Sequence, residues 1–113
     1  MIDSYSFGKI EIDGNPYTSD VIIWPDHVKS PWWRAKGHVL AVDDLTDVLA
    51  RPPHDLVIGT GYFGRMKVPE ETKAALQSRG IRLHVHRTTE AVEEFNRLAR
   101  ESADVVAAFH LTC

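Results

Sequence analysis

The run Leu56-Val57-Ile58-Gly59-Thr60-Gly61, an apolar stretch that halts at two glycines, constrains this chain more than any other segment. Apolar residues without alternation predict a strand buried on both faces, as in a sheet covered by helices on each side. A glycine at the strand's end lets the backbone take a positive φ or approach another segment closely. In open α/β sheets, ligands gather just beyond the carboxyl ends of the strands. The run therefore predicts a fold class and one candidate site, but it names no reaction.

The residues around it alternate between helix and strand. Asp43 or Asp44 is a fitting N-cap for a helix carrying Leu45, Val48 and Leu49, which Arg51-Pro52-Pro53 ends. After the buried strand Asp55–Gly59, Pro69 suits a first helical position, with Glu70 and Glu71 in the favoured first turn and Gly80 as the stop. Leu83 and Val85 alternate with Arg82, His84 and His86, which predicts a strand with one polar face. Thr88 or Thr89 caps the clearest helix, whose apolar stripe is Ala91, Val92, Phe95, Leu98 and Ala99. Glu93 and Arg97 sit four apart on its outer side. Val105–Phe109 reads as a last buried strand. The stretch from Asp55 to His110 is thus β-α-β-α-β, and crossovers of this length join parallel strands with right-handed sense. If all three strands are parallel, the loops Gly59–Gly61, Arg87–Thr89 and His110–Cys113 share one edge.

Ahead of this unit the chain is β-rich. Phe7, Ile10 and Ile12 lie in a strand-like segment, Asp13-Gly14-Asn15-Pro16 is a turn cluster, and Val21-Ile22-Ile23-Trp24 is a second strand closed by Pro25. Together they predict a hairpin or short meander. Pro25 to Lys36 reads as an irregular excursion, and His38-Val39-Leu40 as a short strand. The expectation is a compact α/β fold, an N-terminal β hairpin followed by β-α-β-α-β, over a single domain spanning residues 1–113.

Thirteen basic and sixteen acidic residues leave a net charge of −3 with no long Lys/Arg run, which argues against a nucleic-acid footprint. The single cysteine, Cys113, cannot form an internal disulfide. The first residues carry neither a charged n-region nor an apolar h-region, and no apolar segment approaches the ~18 residues that span a bilayer. These features predict a cytoplasm-like compartment and no membrane partner.

Several short motifs, in order, resemble one family. They are Trp24-Pro25, Trp33-Arg34 with Gly37-His38, Asp44-Leu45, Leu56–Gly61, Lys67-Val68-Pro69, Gly80-Ile81, Thr89 with Ala91, Phe95-Asn96 with Leu98, and the ending Phe109-His110-Leu111-Thr112-Cys113. Their order and spacing resemble the Mth-nine-three-eight-like (Mth938-like) domain, a domain of unknown function. Relatives in that family include an adipogenesis-associated protein and a mitochondrial assembly factor for respiratory complex I. The resemblance implies a compact layered fold with a mixed sheet and no agreed enzymatic activity; the roles of those animal members do not transfer with it.

Gly59-x-Gly61-x-x-Gly64 matches a dinucleotide fingerprint in form, but Arg65–Val68 separates it from the helix start that would meet a pyrophosphate. A small anion on the amides of Gly59, Thr60 and Gly61, helped by Lys67 or Arg65 and lined by Thr89 and His110, is the alternative ligand reading. His84, His86 and His110 make a conceivable cluster, but no metal, cofactor or catalytic residue is assigned. His110 and Cys113 would point to opposite faces of a strand, and a thiol at the last residue is seldom held for nucleophilic work. Asn96, at the margin of its helix stripe, should bond loop backbone beside the strand ends. Trp24, Trp32, Trp33 and Arg34 are the interface candidates, since Trp and Arg are enriched in hot spots and a proline-flanked segment does not easily bury three indoles. The leading expectation is a non-catalytic binding or assembly-type module, with a homodimer or an unknown protein as its partner. The competing one is an enzyme or sensor that binds a small anion at Gly59–Gly61.

Overall fold

In the computed structural model, which describes residues 1–113, the elements in chain order are β1 (Ile2–Ser6), β2 (Lys9–Ile12), β3 (Asn15–Tyr17), β4 (Val21–Ile23), β5 (Val28–Lys29), α1 (Thr46–Leu49), β6 (Asp55–Thr60), α2 (Glu70–Gln77), β7 (Arg82–His86), α3 (Thr88–Glu101) and β8 (Val105–His110). Two sheets result. One is the antiparallel meander β1-β2-β3, and the other is a mixed five-stranded sheet in the order β5-β4-β8-β6-β7. Within the latter, β7, β6 and β8 are parallel, while β4 runs antiparallel to β8 and β5 antiparallel to β4.

The unbroken apolar strands β6 and β8 follow from burial on both sides. Leu56, Ile58, Val106, Ala108 and Ile22 face a core completed by Trp32, Leu40, Leu45, Val48, Met66, Leu76 and Ile81. Val57, Val105, Ala107, Phe109, Val21 and Ile23 face a second core, with Ile2, Ile10 and Ile12 of the meander and Ala91, Phe95 and Leu98 of α3. Successive side chains on a strand point to opposite faces, so a strand covered on both sides needs an apolar residue at every position.

The expected N-terminal hairpin is present, as part of the meander β1-β2-β3, but its strands are not the ones expected. Val21–Ile23 does not pair with the segment before it but joins the large sheet beside β8, through Val21 opposite Phe109 and Ile23 opposite Ala107. The hairpin partners are β1 and β2, and Phe7 lies in the turn between them, half exposed, rather than in a strand. The turn at Asp13-Gly14 has φ of 49° and 81°, the doubly positive geometry that matches the twist of a two-residue hairpin. Between Pro25 and Lys36 the expected irregular segment contains β5. His38–Leu40 forms isolated bridges instead of a strand.

Two helix starts also differ from expectation. Neither Asp43 nor Asp44 is an N-cap. Both lie within a 3₁₀ turn over Val42–Leu45, and the Asp44 carboxylate reaches back to accept the N–H of Ala41 at 2.9 Å. Arg87, not Thr88 or Thr89, is the N-cap of α3. On the outer face of that helix Arg97 pairs with Glu94 at 2.8 Å and with Glu101 at 3.8 Å, rather than with Glu93. Asn96 bonds both the N–H and the C=O of Ile2, each at 2.9 Å, and so clips α3 to the first strand of the meander.

Candidate functional site

Because β7, β6 and β8 are parallel, their following loops meet at one end of the sheet, and Thr88 is where they join. Its hydroxyl donates to the carbonyl of His110 at 2.7 Å and accepts the N–H of Gly61 at 2.9 Å. Gly61 holds a φ of 109°, and a Cβ there would lie 2.5 Å from the Cys113 carbonyl carbon and 2.9 Å from the His110 ring. Only glycine permits that approach. At Gly59 a Cβ would meet the Phe109 ring and the Thr88 hydroxyl, both at 2.8 Å. The glycines thus let the C-terminal tail lie against the loop.

The loop's backbone donors are largely taken up by this packing. The Tyr62 N–H bonds Thr112 O at 2.7 Å, Arg65 N–H bonds Cys113 O at 3.0 Å, and Gly64 N–H bonds Gly61 O at 3.2 Å. Met66 N–H returns to Thr60 O, and Lys67 N–H goes to His38 O. Helix α2 begins only at Glu70, so the helix that follows the glycine motif does not start within it, and the α3 N-terminus that lies there is engaged by the loop itself, with the Thr88 N–H on Gly61 O at 3.1 Å. Among the expected ligand residues, Gly59, Thr60, Gly61 and His110 are buried together. Thr60 donates its hydroxyl to His86 O at 3.1 Å. Lys67 and Thr89 are exposed, and the threonine in the junction is Thr88.

His110 belongs to a second, deeper cluster. Its Nδ1 lies 2.9 Å from the Asp20 Oδ2, which also pairs with Arg34 Nη2 at 2.8 Å, while Asp20 Oδ1 accepts the Leu111 N–H at 2.8 Å. Burial pushes the Asp20 carboxyl up, but the hydrogen bonds from His110, Leu111 and Arg34 outweigh it and hold the group below the usual carboxylate range. His110 Nε2 and Arg34 Nη1 have no hydrogen-bond partner. Nearby, burial pushes the Tyr5 phenol up to about 12, against a hydrogen bond to Thr88; the phenol donates to Leu111 O at 2.7 Å. Asp20 had no signal in the sequence beyond its position just before a strand, because its partners lie up to 91 residues away in the chain.

The interface candidates separate. Trp32 is 3% exposed and donates its indole N–H to Asp44 O at 2.9 Å. Arg34 is buried in the Asp20 cluster, its guanidinium 4.7 Å from the Trp32 ring centroid. Trp24 is half-buried and stacks on His27 at 4.4 Å, and Trp33 alone is open, at 79%. The segment therefore places one indole in the core and one on the surface.

A different aromatic surface stands over the glycine loop. Phe7, Tyr62 and Phe63 are 50%, 38% and 57% exposed and touch one another, with ring centroids 5.1 to 6.0 Å apart. Arg87 donates twice to Tyr62 O, at 2.8 and 3.1 Å, and so fixes the loop's outer side. Sequence reasoning missed this patch because Phe7 reads as a strand residue. The Tyr62-Phe63 pair directly after Gly61 was the available signal, since adjacent bulky aromatics in a turn cannot both turn inward.

The remaining histidine of interest, His84, is held between two carboxylates, with Nε2 2.8 Å from Asp55 and Nδ1 3.1 Å from Glu94. No group of three or more His, Cys, Asp or Glu side chains is arranged to hold a metal ion. No helix is long and apolar enough to cross a membrane.

Comparison with known proteins agrees with this architecture. The family model for proteins of unknown function DUF498/DUF598 matches residues 2–110. A conserved hypothetical protein from Pyrococcus horikoshii superposes with a TM-score of 0.83 at 23% identity, covering 100% of this chain and 99% of its own. A Bordetella pertussis protein, a Mth938-like domain, superposes at 0.70 with 20% identity, covering 98% and 85% of the two chains. A Bartonella henselae protein described as an outer membrane protein superposes at 0.82 with 26% identity, covering 99% and 94%.

Proposed function

This chain belongs to the DUF498/DUF598 family of proteins of unknown function, and from that premise we propose that it is a non-catalytic binding or assembly-type module whose contact surface is the Phe7–Tyr62–Phe63 patch. The single observation that carries this reading is that three mutually touching aromatic rings stay in solvent, Tyr62 and Phe63 on a loop tied down by the tail and by Arg87, and Phe7 on the β1–β2 turn beside it. Aromatic side chains that are exposed yet already ordered lose little entropy on docking and supply much of the affinity of protein contacts. The partner is a protein surface, and a second copy of this chain is the first to test. A small-anion site at Gly59–Gly61 draws less support, since the N–H groups of Gly61, Tyr62, Gly64 and Arg65 already have protein acceptors.

Sedimentation velocity over a wide concentration range, on the natural chain and on Phe63→Ser, tests the proposal. We expect a dimer in the natural chain that Phe63→Ser dissolves while its melting temperature stays unchanged. A chain that remains monomeric at every concentration, or a dimer that Phe63→Ser leaves intact, overturns this surface as the assembly contact.

A further inference from the structure

The far end of the five-stranded sheet, where β8 begins and β4 ends, is open. A cleft of about 460 Å³ lies there between the meander, the Trp24–Val28 hairpin and the last turn of α3, within the size range of small-molecule sites. Its floor is core: Ile12, Ile23 and Phe95 are all buried, yet reach its surface. Tyr17 and Trp24 form aromatic walls, and Trp24 is held flat against His27, with ring planes 6° apart. Asp13 and Asp26 stand among the lining residues with no Lys or Arg, and the cation there is the Met1 amino group. Each carboxylate uses one oxygen locally. Asp13 Oδ1 accepts from the Met1 amino group at 2.7 Å, and Asp26 Oδ1 meets His27 Nδ1 at 2.7 Å.

We propose that this cleft binds a small organic cation, an aromatic or branched aliphatic body carrying a protonated amine. The apolar floor rewards burial of the body, at about 25 cal/mol per Å² removed from water. The faces of Trp24 and Tyr17 attract an ammonium group through their quadrupoles, and the two carboxylates add attraction of the same sign. A ligand of the same shape ending in a carboxylate would find one ammonium, that of Met1, against two carboxylates, so the lining favours the cation by charge as well as by fit. The site is independent of the aromatic patch at the other end of the sheet.

Phenethylamine and phenylacetate, nearly matched in size and opposite in charge, are the probes. Titrated separately into the uniformly nitrogen-labelled chain at neutral pH, the amine should move the Trp24 indole resonance and the amides of Phe95, Ala99 and Val105. It should bind at least about tenfold more tightly than the acid. Asp26→Asn, at an exposed position where folding is not at stake, should lower amine affinity and narrow the difference between the probes; Trp24→Ala should abolish the response. Equal responses to the two probes, no response to either, or shifts confined to the Gly61–Gly64 loop would overturn the proposal.

Discussion

The two ends of the five-stranded sheet are built on opposite plans. At the carboxyl ends of β6, β7 and β8, where open α/β sheets usually receive ligands, the space is filled by the molecule itself. The Gly61 amide, the Thr88 hydroxyl and the His110 carbonyl form a continuous chain of hydrogen bonds, and the tail accepts from Tyr62 and Arg65. At the other end a cleft remains between the meander, the Trp24–Val28 hairpin and α3, with the buried Ile12, Ile23 and Phe95 at its base. A topological rule locates where loops converge; whether the convergence leaves room depends on what those loops carry. Here two glycines admitted the tail instead of a ligand.

Substitutions can break this contrast, and the largest effect should come from Gly61→Ala. The new Cβ would overlap the Cys113 carbonyl while the backbone sits at a φ of 109°. We expect a loss of more than about 3 kcal/mol in urea unfolding, or displacement of the tail, visible as new amide exchange at Tyr62 and Arg65. Thr88→Val keeps the shape but strands the Gly61 N–H and the His110 C=O, both buried, and should cost about 2 kcal/mol.

Acid should act next, through Asp20 and Asp55. Burial pushes the Asp55 carboxyl up, but hydrogen bonds from His54 and His84 more than offset it, and its folded pKa, like that of Asp20, lies below the ordinary value. A depressed folded pKa contributes stability that is present above the unfolded value and is lost as pH falls through the folded one. Urea midpoints should therefore drop between neutral pH and about pH 3, and Asp20→Asn should flatten that slope. The smallest effect belongs to the open end. Asn15→Ala, on an exposed position lining the cleft, should stay within about 0.5 kcal/mol of the natural chain. A cost there as large as that of Thr88→Val would erase the distinction between the two ends.

Legibility in the sequence followed the range of the interactions involved. The β-α-β-α-β unit could be read because Leu56–Ile58 and Val105–Phe109 carry their burial in their own composition, and Ala91, Phe95 and Leu98 carry theirs in helical spacing. The meeting of three loops followed from parallel pairing. The choice between Thr88 and Thr89 did not, because both suit a helix start and only Thr88 faces the strand ends. The pairing of β4 with β8 was hidden, since Val21–Ile23 looks like a hairpin strand until its partner nearly ninety residues later is known. The burial of Trp32 and Arg34 was hidden for the same reason. It depends on Asp20 and Asp44, which nothing local marks as their partners.

The strand order has a consequence for synthesis. β8 leaves the ribosome after β4 and β6, yet it lies between them and hydrogen-bonds both. A nascent chain that has reached β7 can pair β6 with β7, but β4 and β5 have nothing to join. The two halves of the sheet stay apart until the final strand emerges and closes the gap, so non-local pairing dominates the late steps. Until then the apolar faces of Val21–Ile23 and Leu56–Ile58 stand uncovered, and that interval is when this chain is most exposed to aggregation.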